Sequence, residues 1–214
     1  EMGFLPEAFI NMLAMLGWND GSGEEIFSLE QLIERFSIER IHKGGAKFDF
    51  EKAKWFNQEW IKKSADEKLL PSVNALLLKE GITVTENDLL TIIPMVKERC
   101  QLLNDFIPQL SYFFKDPVDV DIEAIRTKWD EKTTFFQSWS QLLEELSNWE
   151  TTEIENSFKA HATASAIKPG ELQLPFRIML VGGKFGPPVF EIAAKIGKAT
   201  TLRRISHVLK MLEK

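Results

Sequence analysis

The stretch LPFRIMLVGGKFGPPVFEIAAKIG, from Leu174 to Gly197, decides the fold class. An apolar run with a single charge, Arg177, meets a Gly-Gly-Lys-Phe-Gly-Pro-Pro turn and resumes as a second apolar segment. Neither half shows the period-two alternation of a half-buried strand, and the glycines and prolines punctuate the chain between them. The segment reads as helix, stiff turn, helix. One long cationic side chain stands beside the turn.

Outward from it the same grammar recurs. Residues 5–16 have apolar positions at helical spacing, with Pro6 in a first-turn position and Gly17 as a stop. Ser28 and Gln31 have the spacing of a capping box, opening a helix to about Phe36. Asp49 is placed to cap a helix from Phe50 to Lys63, with Trp55, Phe56 and Trp60 as its buried anchors. Ser64 and Glu67 repeat the box for a helix to about Lys79, ended by Gly81. Thr85 caps a short segment, and Pro94 suits the first turn of a long helix through Phe114. Lys115-Asp116-Pro117 reads as a hinge. Helices follow near 121–129, 131–147 and 152–167, the last with Thr152 and Glu155 as its box. A basic amphipathic helix from Thr200 to about Glu213 comes last. No internal repeat or low-complexity tract interrupts the series. The expected fold is all-α, a set of consecutive helical bundles.

The 214 residues suffice for a sizeable core, and 44% hydrophobic with 27% charged residues is ordinary for a globular chain. One cysteine, Cys100, excludes an internal disulfide framework and suits a reducing cytoplasm. No apolar run approaches the roughly 18 residues of a membrane span. Met2 behind Glu1 fits a tag remnant or a cut from a longer chain. The net charge of −6 is unevenly spread. From Lys159 onward ten Lys or Arg face three acids, giving +7, while the first 158 residues hold −13. Such asymmetry points either to a polyanionic partner for the basic end or to a solvated basic helix.

Catalytic constellations are not apparent. His42, His161 and His207 lie in separate segments with no acidic partner at ligand spacing, so no metal site is expected. Asp119-Val120-Asp121-Ile122-Glu123 resembles half a calcium loop but lacks its glycine and closing glutamate, and better fits carboxylates near a helix N-terminus. Gly182-Gly183-Lys184 lacks the earlier glycine and the following Ser/Thr of a phosphate loop. The aromatic residues at helical spacing are expected in the core. Phe185, in the turn, is the exception, expected to be exposed by its loop.

Two segments together resemble a known family. MGFLPEAFINMLAMLGWNDGSGEEIFSLEQLIERFSIERIHKGGAKFDFEKAKWFN, residues 2–57, is similar to bacterial glutamyl-tRNA synthetases just after their KMSKS-type loop. IKPGELQLPFRIMLVGGKFGPPVFEIAAKIGKATTLRRI, residues 167–205, is similar to the anticodon-binding terminus of the same family. That family joins glutamate to its tRNA through a glutamyl-adenylate, using ATP and Mg on a Rossmann-type domain whose HIGH-like and KMSKS-like motifs do not occur here. The resemblance implies the C-terminal portion of such a ligase, cytoplasmic and monomeric, binding tRNA, with no catalytic residues and no cofactor of its own. It implies a stem-contacting region over 1–64 and two anticodon-binding helical subdomains, 65–120 and 121–214.

The family places a base-reading arginine in a PLR segment, which Pro175-Phe176-Arg177 matches. Its following loop, whose positions pack against and recognise anticodon bases, aligns with Gly186, Pro187 and Val189, which the resemblance therefore implies to be anticodon-binding. Gly186 can offer only backbone groups. A second family arginine, which selects the third anticodon base, aligns with Arg99. Lys184, Lys195, Lys198, Arg203 and Arg204 are the expected phosphate contacts, each also consistent with a solvated helix face. The physical chemistry suits this reading, because anticodon bases are splayed and a guanidinium fork matches the acceptor edge of cytosine. The alternative is a helical protein–protein adaptor whose acidic first part docks a basic partner.

Overall fold

A computed structural model describes residues 2–45, 47–126 and 129–213, without the side chains of residues 130 and 131. It is all-α, with twelve α-helices among the described residues and one isolated antiparallel bridge, Trp18 to Ile41. They are α1 (Pro6–Gly17), α2 (Leu29–Arg35), α3 (Phe50–Lys63), α4 (Asp66–Lys79), α5 (Glu86–Val96), α6 (Phe106–Phe114), α7 (Glu123–Arg126), α8 (Asp130–Glu145), α9 (Thr151–Ala164), α10 (Pro169–Val181), α11 (Val189–Ile196) and α12 (Lys198–Leu212). Glu1 and Lys214, and the end of the helix expected near 121–129, lie outside the described residues. None of the described helices is long and apolar enough to cross a membrane.

The chain forms two compact units, Glu1–Gln109 and Leu110–Lys214. The division falls inside α6, ahead of the expected hinge at Lys115–Pro117.

In the first unit two buried asparagines tie the helices together. Asn11 Nδ2 donates to the Glu25 carbonyl at 2.9 Å, and its Oδ1 accepts from Phe27 N and Trp60 Nε1. Asn57 Oδ1 accepts from Leu5 N at 2.7 Å, and its Nδ2 donates to the Gln101 carbonyl at 2.6 Å. These side chains satisfy the buried Leu5 and Phe27 amides, which would otherwise be left without partners. Phe56 is buried as expected, whereas Trp55 is more than a third exposed, at 38%.

Pro94 does not begin a long helix. It sits in the last turn of α5, which gives way to a 3-10 turn at Lys97–Arg99. A proline there has no N–H to return to the preceding turn, so helix propagation weakens at that point. The Asp105 carboxylate then accepts the Gln101 and Leu102 amides, both at 2.8 Å, and starts α6 afresh.

The second unit is built around aromatic packing. Phe135, Phe136, Trp139, Phe158, Phe176 and Phe190 are buried together from α8, α9, α10 and α11. Trp139 meets Phe158 and Phe176 edge to face, at 5.0 and 4.9 Å between centroids. α10 is the central element, burying Leu172, Pro175, Phe176, Ile178, Met179, Leu180 and Val181. Arg177, the only charged residue in that run, is half-buried at its edge.

Candidate nucleic-acid interface

Arg177 and the loop after α10 hold each other. Gly182 ends the helix in the left-handed region, at φ 84°, and the chain turns back across the arginine. Arg177 Nη1 then donates to three successive loop carbonyls, Phe185 at 3.0 Å, Gly186 at 3.2 Å and Pro187 at 2.6 Å. A single guanidinium nitrogen thus gathers the backbone oxygens of the turn. The loop orients the arginine, and the arginine braces the loop.

Gly186 is also required by shape. Its φ is +100°, and a Cβ there would lie 2.9 Å from the Tyr112 hydroxyl. Pro187 and Val189 are buried, with Val189 part of the aromatic core. They therefore support the loop from beneath, while Lys184, Phe185 and Pro188 are its exposed side chains.

The expected phosphate-contacting residues separate into two groups. Lys184 and Lys195 are exposed, and Lys184 Nζ lies 3.6 Å from Asp121. Arg203 is exposed and paired with Asp116. Lys198 instead donates to the carbonyls of Glu144 and Leu146, closing the C-terminal end of α8, where a cation suits the helix dipole.

Arg204 departs furthest from its expected role. It is buried, and it donates to Asp116 Oδ1 and to the carbonyls of Leu180, Tyr112 and Lys115. Burial, and then the charge of Arg203, pull its pKa down to about 10, which leaves it charged at neutral pH. A side chain so enclosed is a clasp within the unit and not a phosphate contact.

Arg99 lies in the first unit and is exposed on the 3-10 turn at Lys97–Arg99. Its neighbour Cys100 is buried, and desolvation pushes the thiol up to about 12, so it is unreactive packing. The histidines stay apart. His42 pairs with Asn19 Nδ2 at 2.7 Å, and His161 pairs with Ser138 Oγ at 2.8 Å. Among the described residues no group of three or more His, Cys, Asp or Glu could hold a metal ion.

Comparison with known proteins gives these features a common setting. The pattern defining the anticodon binding domain family matches residues 50–209. The glutamate–tRNA ligase of Flavobacterium johnsoniae is 37% identical over 212 residues, covering 99% of this chain and 42% of that protein. That of Porphyromonas gingivalis is 33% identical over 221 residues, with the same shares covered. The crystal structure of a glutamate tRNA ligase from Elizabethkingia meningosepticum, in complex with its amino acid, superposes with a TM-score of 0.90 at 34% identity over 98% of this chain. Glutamate-tRNA synthetase from Elizabethkingia anophelis gives 0.86, also at 34% identity, over 97% of this chain. This chain spans about two fifths of the length of these relatives, 42% of the Flavobacterium johnsoniae protein and 41% of the Elizabethkingia anophelis chain. The chain belongs to the anticodon binding domain family, and it matches the C-terminal, anticodon-binding region of bacterial glutamate–tRNA ligases.

Proposed function

We propose that this chain binds the anticodon arm of a glutamate tRNA on behalf of a cytoplasmic, monomeric glutamate–tRNA ligase. The observation that carries the reading is the Arg177 guanidinium gathered onto the carbonyls of a glycine- and proline-stiffened loop, in a chain of an anticodon-binding family. A long cationic donor held by backbone keeps its orientation on binding, so little side-chain entropy is lost when it meets a base edge. Residues 1–64 would contact the tRNA stem, with 65–120 and 121–214 forming the two anticodon-binding parts. Arg177 would read one anticodon base, Gly186 would offer backbone groups, and Pro187 and Val189 would hold the loop at its working height. Arg99 would select the third base. Lys184, Lys195 and Arg203 would exchange surface partners for phosphates, which positions the RNA without reading it. The ATP- and Mg-dependent ligation chemistry would belong to the rest of the parent enzyme, leaving this chain inactive alone. No observation favours the helical adaptor.

Affinity of the 214-residue chain for glutamate tRNA, against the same tRNA with exchanged anticodon bases, tests the reading. The cognate transcript should bind more tightly, and both affinities should fall together as salt rises. Arg177→Ala should remove about 1–3 kcal/mol of that discrimination at one anticodon position. Arg99→Ala should relax the third position alone. Equal affinity for both transcripts in folded wild-type protein would overturn the proposal.

A further inference from the structure

Phe185 differs from the other aromatic residues of the second unit. The rings of α8 to α11 are buried together, yet Phe185 is 40% exposed at the turn of the loop that Arg177 braces. One exposed phenylalanine is unremarkable on a protein surface. What sets this ring apart is that its position is built. A Cβ on Gly183 would lie 2.7 Å from its Cε1 and 2.9 Å from its Cδ1, so the bare glycine is the seat of that edge. Tyr112 meets it edge to face, with centroids 6.0 Å apart. Its own carbonyl accepts from Arg177 Nη1, and the next residue, Gly186, is pressed against the Tyr112 hydroxyl. Seat, neighbour and backbone are all fixed while the ring still faces solvent.

We propose that Phe185 is a stacking platform for one unpaired nucleobase of the bound RNA, beside the edge-reading Arg177. The inference rests on the anticodon-binding reading above and adds to it a second kind of contact. A guanidinium reads hydrogen-bonding edges and discriminates among bases. A phenyl ring meets the π-face that every base has, so it contributes affinity with little discrimination. Its fixed seat means that the ring loses little freedom when the base arrives. The exposed Lys184, the residue before it, is placed to attract the phosphate of the stacked nucleotide.

The two contacts have separable signatures. The full chain is titrated with glutamate tRNA transcripts, intact or carrying an abasic site at each anticodon position in turn. Phe185→Leu keeps the apolar bulk of an exposed side chain and removes the π-face. It should weaken binding about tenfold for cognate and exchanged anticodons alike. At one position, removing the base should weaken wild-type binding by a similar factor and should not weaken Phe185→Leu further, the non-additivity of a direct contact. Phe185→Trp should bind at least as well as wild type. Gly183→Ala should give the Phe185→Leu phenotype with an unchanged unfolding midpoint, because the added methyl displaces an exposed side chain from its seat and presses on no backbone. Additive losses at all three positions, or wild-type affinity in Phe185→Leu, would overturn the stacking role. If wild type still prefers the cognate anticodon in that case, the anticodon-binding reading survives. Loss of that preference in wild type itself would overturn both.

Discussion

Arg204→Met should lower the stability of the second unit by about 3–5 kcal/mol, whereas Arg203→Met, one residue earlier, should cost about 1 kcal/mol or less. Arg204 is only 4% exposed and ties three elements to one point. It donates to Asp116 Oδ1 at 2.9 Å, to the Leu180 carbonyl of α10 at 2.5 Å, and to the Tyr112 and Lys115 carbonyls at 2.8 and 2.9 Å. Methionine occupies similar volume and donates to none of them, so the Leu180 and Tyr112 carbonyls in the interior, and the part-buried Lys115 carbonyl, lose this donor. Each such loss costs about 1–3 kcal/mol where water cannot replace the partner. Arg203 pairs with the same carboxylate from outside, with both side chains about half exposed, at 58% and 47%. Solvent screens that pair, and either side chain is well hydrated without it. Arg204→Lys should fall between the two, since an ammonium keeps the charge but cannot span acceptors arranged for a planar fork. Urea unfolding of the full chain checks this. The transition of the second unit should shift in Arg204→Met and barely move in Arg203→Met. Equal shifts would show that the clasp carries no particular weight.

These two arginines also mark where sequence reading stops. Both are basic residues on one amphipathic helix, and both were expected on phosphates. Their difference is set by the Leu180, Tyr112 and Lys115 carbonyls that only Arg204 reaches, 24, 92 and 89 residues earlier in the chain, which no local pattern contains. The same clasp explains why Lys115-Asp116-Pro117 is not a free hinge, despite its hinge-like composition.

Local chemistry was legible where it stayed local. The Ser28 box forms on both sides, with Gln31 N donating to Ser28 Oγ and Ser28 N to Gln31 Oε1. Asp49 and Thr85 cap α3 and α5 through the expected amides. The boxes at Ser64 and Thr152 do not form. Ser64 Oγ donates back to the Trp60 carbonyl at 2.7 Å, closing α3 instead of opening α4. Thr152 lies inside the first turn of α9, because Glu150 is the N-cap. A hydroxyl with a carboxylate three residues on has several backbone partners in reach, and tertiary packing selects among them. At the candidate site the loop and its lone arginine could be read from composition. The direction of Arg177, onto three carbonyls of its own loop, depended on a turn whose path is set by Gly182.

Gly182→Ala should destabilise the second unit by about 3 kcal/mol. Two independent costs add. At φ 84° a residue with a Cβ pays about 1–2 kcal/mol for the left-handed conformation. The methyl would also lie 2.4 Å from the Asp119 carbonyl oxygen and 2.9 Å from Pro117 Cβ, and backbone cannot rotate aside as a side chain can. The 117–121 stretch is laid directly on this glycine, with Asp121 N donating to the Gly182 carbonyl at 2.8 Å. Relief therefore requires either lifting that stretch or unwinding the end of α10, and the second moves the loop off Arg177. Loss of stability should accordingly come with loss of anticodon discrimination, measured on the fraction that remains folded. Gly183→Ala is the internal comparison. That position has no positive φ, and the three atoms nearest its Cβ all belong to the Phe185 ring, so its fold should survive while RNA affinity falls. Adjacent glycines thus fail in different ways, one through the backbone beneath it and the other through the ring above it. A wild-type unfolding midpoint in Gly182→Ala would show that residues 117–121 are not seated on the end of α10, and Arg177 would then need another source for its orientation.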